Sequence, residues 1–385
     1  MTRRIFRNEA CLRRSPRAVF SSRAARRASD SEAYMEPVHE LGRTKDGVLG
    51  ELEFKLLNDF QRDFPLVARP FAELANRLGV DEATVIEVLR SMRKRGLVSR
   101  IGAVFRPNVV GVSALAALTV PVGRLEEVAA QVSALSEINH NYQREHRFNL
   151  WFVATTSSAE HLHAIFQKIE IASGCGPVLV LPLLEQFHID LGFGLGPASA
   201  HDFQSDAQVA SDVVAIKLSE AERAFVAVLQ KGLPLIVQPF AALGRTEAEA
   251  MALLSHWTAT GVISRFGVVV RHHELGYTAN AMVVWDVPDA VVSQIGKSIA
   301  DSGRVSLCYR RPRALPHWPY NLFCMIHGKD RHEVERRIAT LAQACGLGSY
   351  PFEVLFSCRR FKQCGARYVA HVNNEIFPEL ANGSD

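Results

Sequence analysis

The sequence predicts an α+β protein built as a tandem duplication, each copy a winged helix-turn-helix followed by a ferredoxin-like βαββαβ domain. Three observations predict it. First, the chain repeats itself: "RGLVSRIGAVFRPNVVGV" from Arg95 is answered by "TGVISRFGVVVRHHELGY" from Thr260, and Phe148-Asn149-Leu150 by Tyr320-Asn321-Leu322. The period, roughly 165 to 170 residues, is far longer than the 20 to 50 of a solenoid and implies two homologous domain pairs, a built-in heterodimer. Second, each copy opens with segments of helical apolar spacing. Third, each copy then turns to the alternation of strands, in the order β-α-β-β-α-β.

Residues 1–48 read as a basic arm. Its first 27 residues hold nine arginines against the single acid Glu9, and no apolar core for a secretory signal. Rich in Arg, Ser and Ala, the arm has the look of an organellar transit peptide, of a disordered tail, or of a leader before a true start at Met35. Residues 49–110 form the first winged unit. "LEFKLLNDF" and "PFAELANRLGV" have helical spacing, Asp81 is placed to cap a third helix over "DEATVIEVLRSMRKRGLV", and Gly96 to end it. "VSRIGAVFR" then reads as a two-stranded ribbon. Residues 111–192 supply the first sheet domain: strand "SALAALTVPV", helix "RLEEVAAQVSAL", two strands meeting near Arg147, helix "AEHLHAIFQKIEIA" and one apolar strand "PVLVLPLLEQFHI".

The Gly-, Ser- and Ala-rich stretch 193–215 reads as a flexible linker. Residues 216–275 repeat the winged unit, with "SEAERAFVAVLQ", "QPFAALG" and "TEAEAMALLSHWTATG" as its helices, and 276–370 repeat the sheet domain before a tail, 371–385.

Outside the arm the chain is close to neutral, against +4 overall. Seven cysteines form no CxxC and no zinc spacing, which favours reduced thiols and a cytoplasmic protein with no structural metal. No apolar run approaches the ~18 residues of a membrane span. DNA is disfavoured too. The presumed recognition helix of the first copy begins with the acidic "DEATVIEV", and its counterpart has two glutamates and no Lys or Arg, whereas duplex binding needs phosphate neutralisation in both halves. Arg93, Lys94 and Arg95 are better read as a solvated helix end.

Chemistry concentrates on the hairpin of each sheet domain. The first copy brings His140, Tyr142, Arg144, His146 and Arg147; period two places the first four on one strand face. The second brings Tyr309, Arg310, Arg311, Arg313 and His317 on a loop about five residues longer. Tyr142 answers Tyr309 and Arg144 answers Arg311, while His140 has no match, Cys308 lying there. Arginine forks grip carboxylates and histidine ligates iron or moves protons, so the ligand expected is planar and polycarboxylated. Phe148, Trp151, Trp318 and Tyr320 are candidates to pack on a flat ring, some of them as core.

"HNYQREHRFNLWF" and "CYRRPRALPHWPYNLFCMIHG", each following an Ser-Arg-x-Gly wing, resemble the siroheme decarboxylase family, whose members join an Lrp/AsnC-type winged helix to a ferredoxin-like domain. The resemblance covers about residues 50–192 and 218–368. It implies a carboxy-lyase of the fused two-half form that removes carbon dioxide from the C12 and C18 acetates of siroheme in haem d1 synthesis, with no separate cofactor because the iron belongs to the substrate. Arg144, Arg147, Arg310, Arg311, Arg313 and His140 would then hold carboxylates. His146 or His317 would give the proton or ligate the iron, and Tyr142 or Tyr309 would orient a carboxylate. Partners would be the tetrapyrrole and homologous subunits or a second copy, without DNA or membrane. An Lrp/AsnC-type regulator that senses haem, or a tetrapyrrole carrier, is the competing class.

Overall fold

The protein, as a computed structural model, is described over residues 43–44, 47–189 and 215–369. Nearly all of the expected arm and linker, and the whole tail, lie outside the described residues. A two-residue ribbon, β1 (Arg43–Thr44) with β2 (Gly47–Val48), precedes three helices: α1 (Glu51–Asp59), α2 (Pro70–Leu78) and α3 (Glu82–Lys94). Asp81 caps α3 by accepting the Thr84 N–H at 2.8 Å, and Gly79 ends α2 in the left-handed conformation that glycine adopts without cost.

Next comes β3 (Val98–Phe105), a single unbroken strand where a hairpin was expected. Its partner is in the other copy. The antiparallel pairing runs between β3 and β9 (Ile263–Val270), with Gly102 opposite Gly267 at the centre. This register explains the repeated Ser-Arg-x-Gly. A Cβ on Gly267 would come within 2.4 Å of the Gln61 carbonyl oxygen, and one on Gly102 within 3.3 Å of Gly232. Each glycine lets the chain of the opposite copy or of a neighbouring turn close against the ribbon, sealed by the Val268 N–H to Phe60 carbonyl bond at 2.8 Å. The two winged units consequently share one apolar core, running from Leu56 and Phe71 through Phe225 and Trp257.

The sheet domain of the first copy continues with β4 (Val112–Leu118), α4 (Leu125–Ala134), β5 (Ile138–Arg144), β6 (Leu150–Thr156), α5 (Ala159–Ser173), β7 (Leu179–Pro182) and β8 (Glu185–Ile189). The second winged unit has α6 (Glu220–Leu229) and α7 (Glu247–Ala259), both opened by capping boxes. Between them the expected middle helix is a single 3-10 turn, Phe240–Ala242, because only a few residues separate Pro239 from the left-handed Gly244. The second sheet domain follows: β10 (Ala279–Trp285), α8 (Val292–Asp301), β11 (Leu307–Arg310), β12 (Leu322–Gly328), α9 (Arg331–Ala344) and β13 (Phe352–Gln363).

Nine strands join in the order β7-β4-β6-β5-β13-β10-β12-β11-β8. Each half has the ferredoxin-like order, and each lends the other a strand. The apolar segment expected as one strand after α5 breaks at Leu183 and Leu184. Its first part stays on β4 as β7, and its second crosses to β11 as β8. Long β13 does the reverse, pairing β10 through Phe356 and β5 from Ser357 onward. Helices α4 and α5 cover one face of the first half and α8 and α9 one face of the second. The opposite faces meet across a fourth core of Trp151, Leu181, Met282, Val284, Trp318 and Phe323. The seam between copies is therefore at the centre of the sheet layers.

Candidate active site

At that seam lies a cavity of about 380 Å³, lined by both sheets and roofed by the β3–β9 ribbon. Alternation builds its walls. On β5 it receives His140, Tyr142 and Arg144; on β11 and just beyond, Leu307, Tyr309 and Arg311; on β12, Phe323, Met325 and His327. The residues between point to the helix-covered cores, as Asn141 and Cys324 do. Register also corrects the pairing of the copies. Tyr142 stands opposite Trp151 and Tyr309 opposite Phe323, so the counterpart of His140 is Leu307, not Cys308, which is buried against α8.

The two halves present the same device. Arg144 lies over the ring of Tyr142 at 5.8 Å and Arg311 over that of Tyr309 at 5.0 Å, each a cation–π contact. Arg144, 7% exposed, anchors one nitrogen on the Leu355 carbonyl at 3.0 Å and so ties the halves together. Arg311 donates to the Leu181 carbonyl at 2.5 Å, and its buried Nε has no partner among the described residues. A guanidinium has five N–H donors, so both keep donors for a ligand. Burial pulls each guanidinium down to about 10, which leaves it charged at neutral pH. Burial likewise raises the phenols of Tyr142 and Tyr309, keeping both protonated.

The other expected site residues stand elsewhere, among partners that occupy them. His146 bonds the Glu353 carboxylate through Nε2 at 2.8 Å, accepts the Phe148 N–H on Nδ1 at 3.0 Å, and lies edge-on to Trp318. The turn after Arg144 carries it behind the inter-sheet core. Arg147 is exposed, packs on Phe148 and donates to the His317 carbonyl. Arg310 pairs with Asp289 at 2.9 Å, and Arg313 with Asp286 at 2.7 Å and Asp289 at 3.0 Å, which fixes the long loop to the turn between β10 and α8. His317 is exposed at the tip of that loop. Of the aromatics, Trp151 lines the cavity, whereas Trp318 is core.

Sequence reasoning missed His272 and His327. Their rings face each other at 4.6 Å, edge to face, in the cavity wall near Asn280. A signal for His327 existed: it continues the alternation of Phe323 and Met325 on one strand face. His272 follows β9 in an irregular turn, where no period applies. Among the described residues no group of three or more His, Cys, Asp or Glu could hold a metal ion.

Burial lowers His140 and His272 to about 4 and holds His327 well below the ordinary histidine value. All three are neutral in the folded protein at neutral pH, whereas in the unfolded chain they titrate near 6.5. Below that pH the unfolded chain binds more protons, so stability present above about 6.5 is lost as pH falls toward 4. Thermal melts should show a loss of about 2 kcal/mol by pH 5 for each of His140 and His272, and a His140→Gln, His272→Gln double variant should lack that part of the loss. An unchanged melting temperature from pH 7 to 5 would refute the neutral assignment.

The comparisons with known proteins agree with this architecture. A family model for the AsnC-like ligand binding domain matches residues 110–188 and 274–362, and one for the siroheme decarboxylase NirDL-like HTH domain matches 53–98. The siroheme decarboxylase NirDL subunit of Paracoccus pantotrophus is 44% identical over 326 residues, 83% of this chain and 97% of that protein. The siroheme decarboxylase NirL subunit of Stutzerimonas stutzeri is 45% identical over 159 residues, 40% of this chain and 91% of that protein. The crystal structure of the siroheme decarboxylase NirDL in co-complex with an iron-uroporphyrin III analogue superposes with a TM-score of 0.58 at 28% identity, over 83% of this chain and 93% of that one. No described helix is long and apolar enough to cross a membrane.

Proposed function

The chain belongs to the siroheme decarboxylase family, and we propose that it removes carbon dioxide from the C12 and C18 acetates of siroheme, giving 12,18-didecarboxysiroheme on the route to haem d1, in the cavity between its halves. The observation that carries this reading is the pair of Arg-over-Tyr devices, one from each copy, facing a single cavity.

In each step the bond between the acetate methylene and its carboxylate carbon breaks. The electron pair passes into the conjugated macrocycle, carbon dioxide leaves, and a proton returned to the methylene gives a methyl group. A guanidinium on the reacting carboxylate would oppose this, because it stabilises the charge that must be lost. Arg144 and Arg311 therefore hold spectator carboxylates, and the reacting one is placed against the dry wall of Leu115, Val153, Met282 and Met325. The protonated Tyr142 and Tyr309 hydroxyls orient it and pass the proton. Neutral imidazoles at His140, His272 and His327 suit the task expected of His146 and His317, a lone pair toward the substrate iron. The mechanism draws on no group beyond the substrate and these side chains.

Anaerobic incubation of the purified protein with siroheme, followed by product mass, tests the reading. Loss of two carbon dioxides per molecule is expected. Siroheme that binds, with a shifted absorption band and no change of mass, would make the chain a carrier and overturn the proposal.

A further inference from the structure

Adjoining the main cavity lies a second pocket of about 140 Å³. Ser99, Arg100, Gln230, Cys364 and Gly365 line both. The small pocket also receives Lys231 and Arg367, with Ser99, Gln230 and Gly365 beside them, and none of the residues lining it is acidic. Arg100 itself is strictly placed. It donates from Nη2 to the Ala103 carbonyl at 3.1 Å, and its Nε, sealed from solvent, has no partner among the described residues. Glycines make room for it: a Cβ on Gly232 would lie 2.7 Å from the Arg100 Cβ, and one on Gly365 2.6 Å from Nη1. Three cations, uncompensated by acid within the pocket wall, with a buried N–H left unsatisfied, describe an anion site. The repeated Ser-Arg-x-Gly thus does more than close the ribbon in this copy. In the other copy, Arg265 donates instead to the Gln61 carbonyl at 2.9 Å.

We propose that Arg100, Lys231 and Arg367 form a carboxylate subsite, reached through the main cavity, that takes one carboxylate arm of the bound tetrapyrrole or a small free carboxylate. The first source rests on the proposed function; the second does not.

Lys231 and Arg367 are exposed, so their replacement leaves the core intact. The Lys231→Gln, Arg367→Gln double variant and Arg100→Gln are to be titrated, beside the parent protein, with iron uroporphyrin III (eight carboxylates) and with haem (two), by absorbance. Acetate-dependent melting is measured on the same proteins. If the site takes a tetrapyrrole arm, both variants bind iron uroporphyrin III roughly tenfold more weakly and haem unchanged. If it takes a free anion, porphyrin binding is unchanged and acetate raises the melting temperature of the parent alone. Equal porphyrin affinities with no acetate effect in any protein, or equal weakening of both porphyrins, would overturn the subsite. A parent protein that binds iron uroporphyrin III but releases no carbon dioxide from siroheme would instead fail the proposed function and leave these readouts standing.

Discussion

Replacing Arg144 or Arg311 by Gln should lower kcat/KM for siroheme by roughly a hundredfold, almost entirely through KM. The sign of that split follows from the chemistry. A charge-assisted hydrogen bond from a buried guanidinium to a carboxylate contributes about 1.5 to 3 kcal/mol. If it is made to a spectator carboxylate, it is present equally in the bound substrate and in the transition state, so its loss weakens binding without slowing the bond cleavage. Were either arginine bound to the reacting carboxylate, its removal would raise kcat together with KM and leave kcat/KM little changed. A fall in kcat with KM unchanged would mean that the guanidinium acts in the transition state, and would refute the spectator role. Arg311→Gln is the cleaner of the two, because Arg144 also ties β5 to the Leu355 carbonyl in the other half. Steady-state kinetics under anaerobic conditions, with a melting temperature for each variant, separate binding loss from unfolding.

The second large effect is on stability. Trp318 is fully buried, with ring contacts to Trp151 and Tyr320 at 5.1 Å, His146 at 5.5 Å, and Phe148 and Phe323 at 6.0 Å. It is the side chain through which the long loop of the second copy plugs the seam between the sheets. Removing a buried aromatic of this size costs about 3 to 5 kcal/mol. Trp318→Ala should therefore lower the melting temperature by about 4 to 6 °C, and Trp318→Phe by much less. The indole Nε1 has no partner among the described residues, so phenylalanine forfeits no hydrogen bond. A Trp318→Ala protein that melts within a degree or two of the parent would show that the loop is not held by this contact.

How much of this was legible in the sequence differs by the range of the interaction. Repetition and local period gave the duplication, the helices capped by Asp81 and Thr246, and the strands near their true ends. The exchanges between copies were not legible. Nothing local in "VSRIGAVF" says that its partner lies in the other copy, nor that the segment after α5 serves two sheets, since strand pairing is decided by contacts distant in sequence. The same division runs through the site. Tyr142, Arg144, Tyr309 and Arg311, expected together because they share one strand period and recur in both copies, do line one cavity. His146, Arg313 and His317 sit past the strand ends, where the period stops predicting direction, Arg310 alternates away from Tyr309 at the end of β11, and the acids that pair with most of them, Asp286, Asp289 and Glu353, come from other strands and loops. Arginines on a loop read as a ligand clamp until the carboxylates that satisfy them are in view.

The doubling also bears on how the winged units serve a chain in which α7 carries Glu247 and Glu249 and no Lys or Arg. Their strands β3 and β9 pair across the copies and roof the cavity. The winged units in this way help to wall the candidate site, and the shape of the cavity depends on both copies.

The central claim is that the tetrapyrrole binds at the seam and not on the long surface loop. A crystal structure of the protein with iron uroporphyrin III bound tests it most directly. The account predicts the macrocycle between the two sheets, with carboxylates on Arg144 and Arg311 and the iron facing the wall that holds His140, His272 and His327. A macrocycle lying outside the sheets against Arg310, Arg313 and His317, with the seam cavity unchanged, would contradict it.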